Sequence, residues 1–258
     1  MKIRYLSDLH LEFTGYLPNT LPSIGEDVVV LAGDIGLGVQ GITWAKMAIP
    51  DRPVIYALGN HEYYRHHWAT LIDQCHAEAA GSHVHFLEND AVVLNGIRFL
   101  GCTYWTDFRG RGVGTQDIAM QASLDGLNDY RLIRFGTQGT WPQLTPADVL
   151  ARHLESRAWL DHEITASAEP CVVITHHGPS MIACAPQYQG DWLTASFLND
   201  HDAMLRAPVR AWIFGHTHNS GRWEINGIPL LSNQRGYPRE SHPGFSWEAL
   251  IEIGGSHA

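Results

Sequence analysis

Five short runs of branched and apolar residues constrain this chain more than any other feature. They are Ile3 to Leu6, Asp27 to Leu31, Val54 to Leu58, Cys171 to Thr175 and Val209 to Phe214. Each is nearly unbroken rather than alternating with polar residues, the pattern of strands covered on both faces. Helical patterns near 41–48 and 66–79, and one opened by Thr145-Pro146-Ala147-Asp148, lie between them. In that last stretch threonine caps, proline fills the first turn and an acid sits third. Strands alternating with helices predict an α/β architecture whose site gathers at strand C-terminal ends. Residues able to bind metals stand at those ends: Asp8-Leu9-His10, Gly33-Asp34, Gly59-Asn60-His61-Glu62, His176-His177 and Gly215-His216-Thr217-His218.

The parallel pattern gives way elsewhere to antiparallel pairing. Asn95-Gly96 and Asn226-Gly227 each separate two short apolar runs, as a two-residue hairpin turn does. A helix is expected around Ser196 to Leu205, a last strand within Trp247 to Ile253, and a loose tail from Gly254 to Ala258. Tyr104 to Leu144 is the least regular stretch, with room for a helix around Gln116 to Leu124. Its aromatics and its arginines at 109, 111, 131 and 134 predict a wall or lid over the site, with Arg109 and Arg111 gripping phosphate.

The 258 residues are expected to form one unit, 1–258, with an irregular insertion at about 104–145. A formal net charge of −10 argues against tight, non-specific binding to nucleic acid or an anionic membrane. No apolar run approaches the length of a membrane span. The four cysteines lack C-x-x-C spacing, and Met1 leads straight into a strand-like run. Free thiols, a reducing compartment and a cytoplasmic location follow as expectations. Nothing in the pattern sets an oligomeric state.

Two carboxylates, one carboxamide and several imidazoles at strand ends can hold divalent cations. A carboxylate can bridge two ions through its two oxygens, a role that suits Asp34 among the other motifs. Mixed oxygen and nitrogen ligands favour Mn, Fe, Zn or Co over Ca, and the absence of thiolates argues against a structural zinc. Two divalent ions are expected, with manganese favoured. Singly, Asp8 and Asn60 read equally well as turn formers, His61 as a loop histidine and Glu62 as structural. His66, His67, His83 and His85 fit no ligand pattern.

Together, and in this order from residue 8 to residue 218, the motifs resemble the five-part signature of the calcineurin-like metallophosphoesterases. The resemblance implies an α/β fold of two packed mixed β-sheets flanked by helices. It implies one metal held by Asp8, His10, Asp34 and His218, and another by Asp34, Asn60, His176 and His216. His61 is left as the general acid. Of the adjacent pair, His176 matches the ligand position. His177 then lines the substrate side or supports a ligand from behind, and the Asn60 amide is expected to reach substrate too. The Asp-Arg-Gly element of protein Ser/Thr phosphatases is missing, since Ile35-Gly36-Leu37-Gly38 follows Asp34. The chain also lacks room for the long capping region of the family's nucleases. The expected activity is hydrolysis of a small phosphodiester or phosphomonoester by a hydroxide held between two cations. A nuclease and a non-catalytic protein-binding scaffold on the same fold are the alternatives.

Overall fold

The computed structural model of the chain describes residues 1–13, 18–137, 139–240 and 244–254. The tail beyond Gly254 and Gln138 of the irregular stretch lie outside the described residues.

Two mixed sheets form the centre. The first contains β1 (Lys2–Leu6), β2 (Val28–Ala32), β3 (Val54–Ala57) and β4 (Val84–Phe86) as parallel neighbours in that order. The last strand, β11 (Leu250–Glu252), runs antiparallel along the free edge of β1. The second sheet contains β5 (Asp90–Leu94), β6 (Ile97–Cys102), β7 (Cys171–Thr175), β8 (Val209–Phe214), β9 (Gly221–Ile225) and β10 (Ile228–Ser232). Its spatial order is β5-β6-β7-β8-β10-β9, with β6, β7, β8 and β10 parallel and both outer strands antiparallel. Asn95-Gly96 and Asn226-Gly227 form its two hairpin turns, all four residues at φ between +48° and +77°, as a primed turn requires.

The unbroken apolar runs are explained by three cores. Along each parallel strand, side chains alternate between the two faces. Val28, Val30 and Ile55 face inward against Phe99, Val172 and Ile213 of the other sheet. Val29, Leu31 and Val54 point outward instead, beneath Ile42 and Ala45 of α1 (Gln40–Ala48) and Leu71 and Cys75 of α2 (Trp68–Ala79). On the far side, Val173 and Trp212 pack with Leu160 and Ile164 of α5 (Pro146–Ala166). A strand buried on both faces has no place for alternating polar residues. The layers therefore run helix, sheet, sheet, helix.

The irregular stretch carries α3 (Gln116–Gly126) where a helix is expected, and a one-turn α4 (Asp129–Leu132) that the pattern does not announce. α5 opens with a full capping box: Thr145 accepts from the Asp148 N–H, and the Asp148 carboxylate accepts from the Thr145 N–H. The helix expected around Ser196 to Leu205 does not form. In its place are two 3-10 turns, Trp192–Ser196 and Asp202–Met204, on either side of an extended link. Tertiary partners capture the link's backbone: Asn199 and His201 donate their N–H groups to Gly178 and Pro179, and Gly178 donates to Phe197. The Asn199 side chain completes the clasp, donating to the carbonyls of Trp105 and Gly178 and accepting from the Asp107 N–H. A helix would forfeit these bonds.

Candidate metal centre

Every expected ligand lies just past a parallel strand, and both sheets contribute. Asp8 and His10 follow β1, Asp34 follows β2 and Asn60 follows β3; His176 follows β7, and His216 and His218 follow β8. Leaving the strands requires tight reversals. Asp8, His10, Asp34, His216 and His218 all adopt φ between +49° and +72°, a left-handed conformation uncommon for side-chain-bearing residues. Glycine at 59 is dictated by proximity. A Cβ there would lie 2.1 Å from Asp34 Oδ1, and one at Gly215 would lie 2.7 Å from Asp8 Oδ2.

The cluster divides into two groups around Asp34. In one, Asp8, His10 and His218 each bring a potential ligand atom within 4.8 Å of the others; in the second, Asp34, His176 and His216 do so. Asp34 Oδ1 lies 3.3 Å from His176 Nε2, whereas Oδ2 lies 3.9 Å from His10 Nε2. Its two oxygens thus face different groups.

The donor set fits divalent cations on hydrogen-bonding grounds alone. His176 Nδ1 donates to the Ala32 carbonyl at 2.9 Å, so its Nε2 faces two oxygens, Asn60 Oδ1 at 3.1 Å and Asp34 Oδ1 at 3.3 Å. A nitrogen so placed must carry a proton or a cation. His10 Nδ1 and His218 Nδ1 are turned to Glu12 and Glu240, and their Nε2 atoms face each other at 3.0 Å. His216 Nε2 is buried without a hydrogen-bond partner. Converging lone pairs of this kind are what a metal ion satisfies.

Charge in the cluster is strongly coupled. Burial would raise the Asp34 carboxyl, but the imidazoles of His176 and His61 hold it well below the usual range. Burial opposes the His176 imidazolium, yet Asp34 and its hydrogen bond push that histidine up to about 10. The site therefore demands positive charge next to Asp34, and divalent cations meet the same demand.

Asn60 is fixed by partners that the sequence does not reveal. Its Nδ2 donates to Asp129 Oδ1 at 2.8 Å and to the Tyr64 hydroxyl at 3.2 Å, which aims Oδ1 at the cluster. That geometry suits a metal ligand, and because both Nδ2 bonds are made within the protein, only Oδ1 is directed at the cavity that Asn60 lines. Asp129, on α4, is buried and has no sequence signal, being 69 residues from its partner. Of the two places expected for His177, its burial fits the one behind the proposed ligands. It is 1% exposed, its Nδ1 lies 3.2 Å from the Thr103 carbonyl, and its ring packs 4.3 Å from that of His216. It stands behind the proposed ligands and does not line the cavity over them. Glu62 resolves as structural, with its buried carboxylate accepting from Asp34 N, Ile35 N, Gly59 N and the Tyr56 hydroxyl.

His61 sits at the cluster's edge. Glu12 Oε1 lies 2.7 Å from its Nδ1 and the Tyr237 hydroxyl 3.1 Å from its Nε2. Burial disfavours the charged ring, but Asp34 and the Glu12 bond outweigh it and push His61 up to about 9. Glu12 is a residue that the motif reading missed, although its position two after His10 was the available signal. Tyr237 has no such signal.

A cavity of about 350 Å³ opens over Asp34, Asn60, His61, His216 and His218. The irregular stretch supplies one wall through Gly126, Leu127 and Asn128, as a wall was expected. Its arginines do not take part. Arg109 donates to Gln116, while Arg111 donates to the Gly190 carbonyl and stacks 3.9 Å over Trp192. Neither lines the cavity, because both guanidinium groups are engaged on the outer surface.

The family model described as calcineurin-like phosphoesterase matches residues 1–220. A protein of Acanthamoeba polyphaga mimivirus, L509, described as uncharacterized, is 27% identical over 278 residues, covering 97% of this chain and 96% of that protein. Among solved structures, a phosphopantetheinyl hydrolase from Mycobacterium tuberculosis superposes with a TM-score of 0.76 at 20% identity, covering 100% of this chain and 98% of the other. A dimetal phosphatase from Danio rerio has a TM-score of 0.50 at 17% identity, covering 90% and 87%. These two likenesses concern the fold.

Proposed function

The chain belongs to the calcineurin-like phosphoesterases, and from that premise we propose that it hydrolyses small phosphate mono- or diesters with two divalent cations. Asp8, His10, Asp34 and His218 would hold one, Asp34, Asn60, His176 and His216 the other. The observation that carries this reading is Asp34, whose two oxygens face the two imidazole groups separately. When bound, the cations supply Lewis acidity that lowers the pKa of water and neutralises phosphoryl charge.

The chain's own residues account for the rest. Asp129 and the Tyr64 hydroxyl accept from the Asn60 Nδ2, which directs its oxygen at the cluster. Glu12 holds His61 by Nδ1, and Nε2, beside the Tyr237 hydroxyl on the cavity wall, would give a proton to the departing oxygen. That assistance is typically worth roughly 10²–10⁴-fold. Among the described cavity residues, burial raises Cys184, Tyr64 and Tyr237, which keeps these groups protonated and poor nucleophiles. A single in-line displacement by water is the mechanism that fits.

Metal analysis together with a screen of nitrophenyl mono- and diesters tests the assignment. A phosphopantetheinyl diester belongs in the panel because of the name of the M. tuberculosis neighbour. Two metal equivalents and metal-dependent turnover are expected, both lost in Asp34→Ala. Inversion at a chiral phosphorothioate should accompany turnover. Retention would point to a nucleophilic side chain, and an Asp34→Ala variant that kept both ions and its rate would overturn the bridging role.

A further inference from the structure

Beyond the ligand cluster, the cavity changes character. Its apolar lining comes from Leu127, Ala183, Ala185, Leu193, Phe197 and Leu198. This surface is continuous with the metal centre, because the Phe197 ring stacks on His216 with centroids 4.4 Å apart and planes 21° from parallel. Of the acids lining the cavity besides Asp34, Glu240 is paired with His218 at the ligand cluster, which leaves Asp191 beside the apolar residues, and among the described residues no lysine or arginine lines the cavity. Arg109 and Arg111 of the irregular stretch are engaged elsewhere.

A wall of this kind recognises one chemistry and repels another. Apolar side chains reward a hydrocarbon arm by about fourfold in affinity per buried methylene. A second anionic group on the arm would instead meet apolar side chains and the Asp191 carboxylate, with no lysine or arginine to pair it. Given the phosphoesterase reading above, on which it rests, we propose that this site selects phosphate esters whose arm beyond the phosphoryl group is uncharged and partly apolar. Esters bearing a further phosphate or carboxylate on that arm are discriminated against. Discrimination resides in the apolar wall rather than in the ligand cluster.

Binding and turnover separate the two layers of this assignment. Methylphosphonate, hexylphosphonate and 6-phosphonohexanoate share one headgroup and differ only in the arm. Calorimetry on the metal-loaded protein should show the hexyl compound binding at least tenfold tighter than both others. The same order is expected in kcat/KM for hexyl phosphate against 6-carboxyhexyl phosphate. Tyr188, 53% exposed on the cavity wall, and Leu127 are sites where a lysine can be placed outside the ligand cluster. Tyr188→Lys or Leu127→Lys should narrow the gap between hexyl and carboxylate arms severalfold by improving binding of the anionic one. Equal binding of the three phosphonates, or preference for the carboxylate, overturns the proposal even if every ester is hydrolysed. Selective binding of the hexyl arm without turnover of any ester would uphold the proposal about the wall and overturn the hydrolase reading.

Discussion

A single oxygen of Glu12 reaches two imidazoles, His10 Nδ1 at 3.1 Å and His61 Nδ1 at 2.7 Å. Burial alone would raise this carboxyl, but the two histidine bonds hold it down to about 2. It therefore couples a proposed metal ligand, His10, to the proposed acid, His61. Partners of this sort typically change metal affinity or activity by roughly 10–100-fold when removed. Glu12→Ala should lower metal affinity or kcat within that range, and Glu12→Gln, which keeps an acceptor, should recover part of it. Unchanged metal affinity and kcat in Glu12→Ala would remove Glu12 from this role, and equal losses in both variants would mean that its negative charge, rather than an acceptor alone, is required. For His61→Ala both ions should remain, with alkoxide leaving groups slowed by roughly 10²–10⁴-fold and nitrophenolate by much less, since a good leaving group needs little protonation. A uniform loss across leaving groups would remove His61 from the acid role. The proposed ligands were legible in the sequence because each stands within four residues of a strand's end. Glu12 was legible in principle. Asp129 and Tyr237 were not, since chain folding alone brings them to Asn60 and His61.

Among the elements, the strands were readable because their unbroken apolar character has one cause, burial against a helix layer on one side and the other sheet on the second. α5 was readable from its capping box. The failed helix around Ser196 to Leu205 shows the limit of local pattern. Asn199 binds three backbone groups from segments far away in sequence, and no periodicity records that. α5 also carries a testable titration. His153 is fully buried, its Nδ1 lies 2.9 Å from the Tyr104 carbonyl, and its ring stacks on that of His201. Burial first, then the neighbouring charges of His201 and Arg157, lower it to about 4 despite Asp107 nearby. A histidine with a depressed folded pKa leaves the unfolded chain binding more protons between pH 6.5 and 4. Its contribution is present above 6.5 and is lost as pH falls towards 4, reaching about 3 kcal/mol at the limit. His153→Phe keeps the ring volume but cannot titrate. Denaturant unfolding should then show a shallower loss of stability from pH 6.5 to 4 than in the parent protein; an unchanged slope would place acid sensitivity elsewhere.

Across the whole molecule, the proposed ligands link the two sheets: Asp8, His10, Asp34 and Asn60 come from one, His176, His216 and His218 from the other. The sequence announced both sets of strands but not their partition, because strand order depends on long-range pairing such as β8 with β10 rather than with its chain neighbour β9. That partition has a thermodynamic consequence. A cation bound by residues of both sheets favours the folded chain alone, since unfolding scatters ligands up to 210 residues apart, from position 8 to position 218. At a free metal concentration 100-fold above Kd the gain for one site is about 2.7 kcal/mol. For a chain of this length it corresponds to a rise in Tm of roughly 5–10 °C. Loading with manganese or zinc should produce such a rise and a chelator should reverse it. Asp34→Asn, which weakens the carboxylate shared by both groups, should lose most of the shift while keeping the metal-free Tm close to that of the parent. A metal-independent Tm, or a full shift in Asp34→Asn, would mean that the cations do not bind where the two sheets meet.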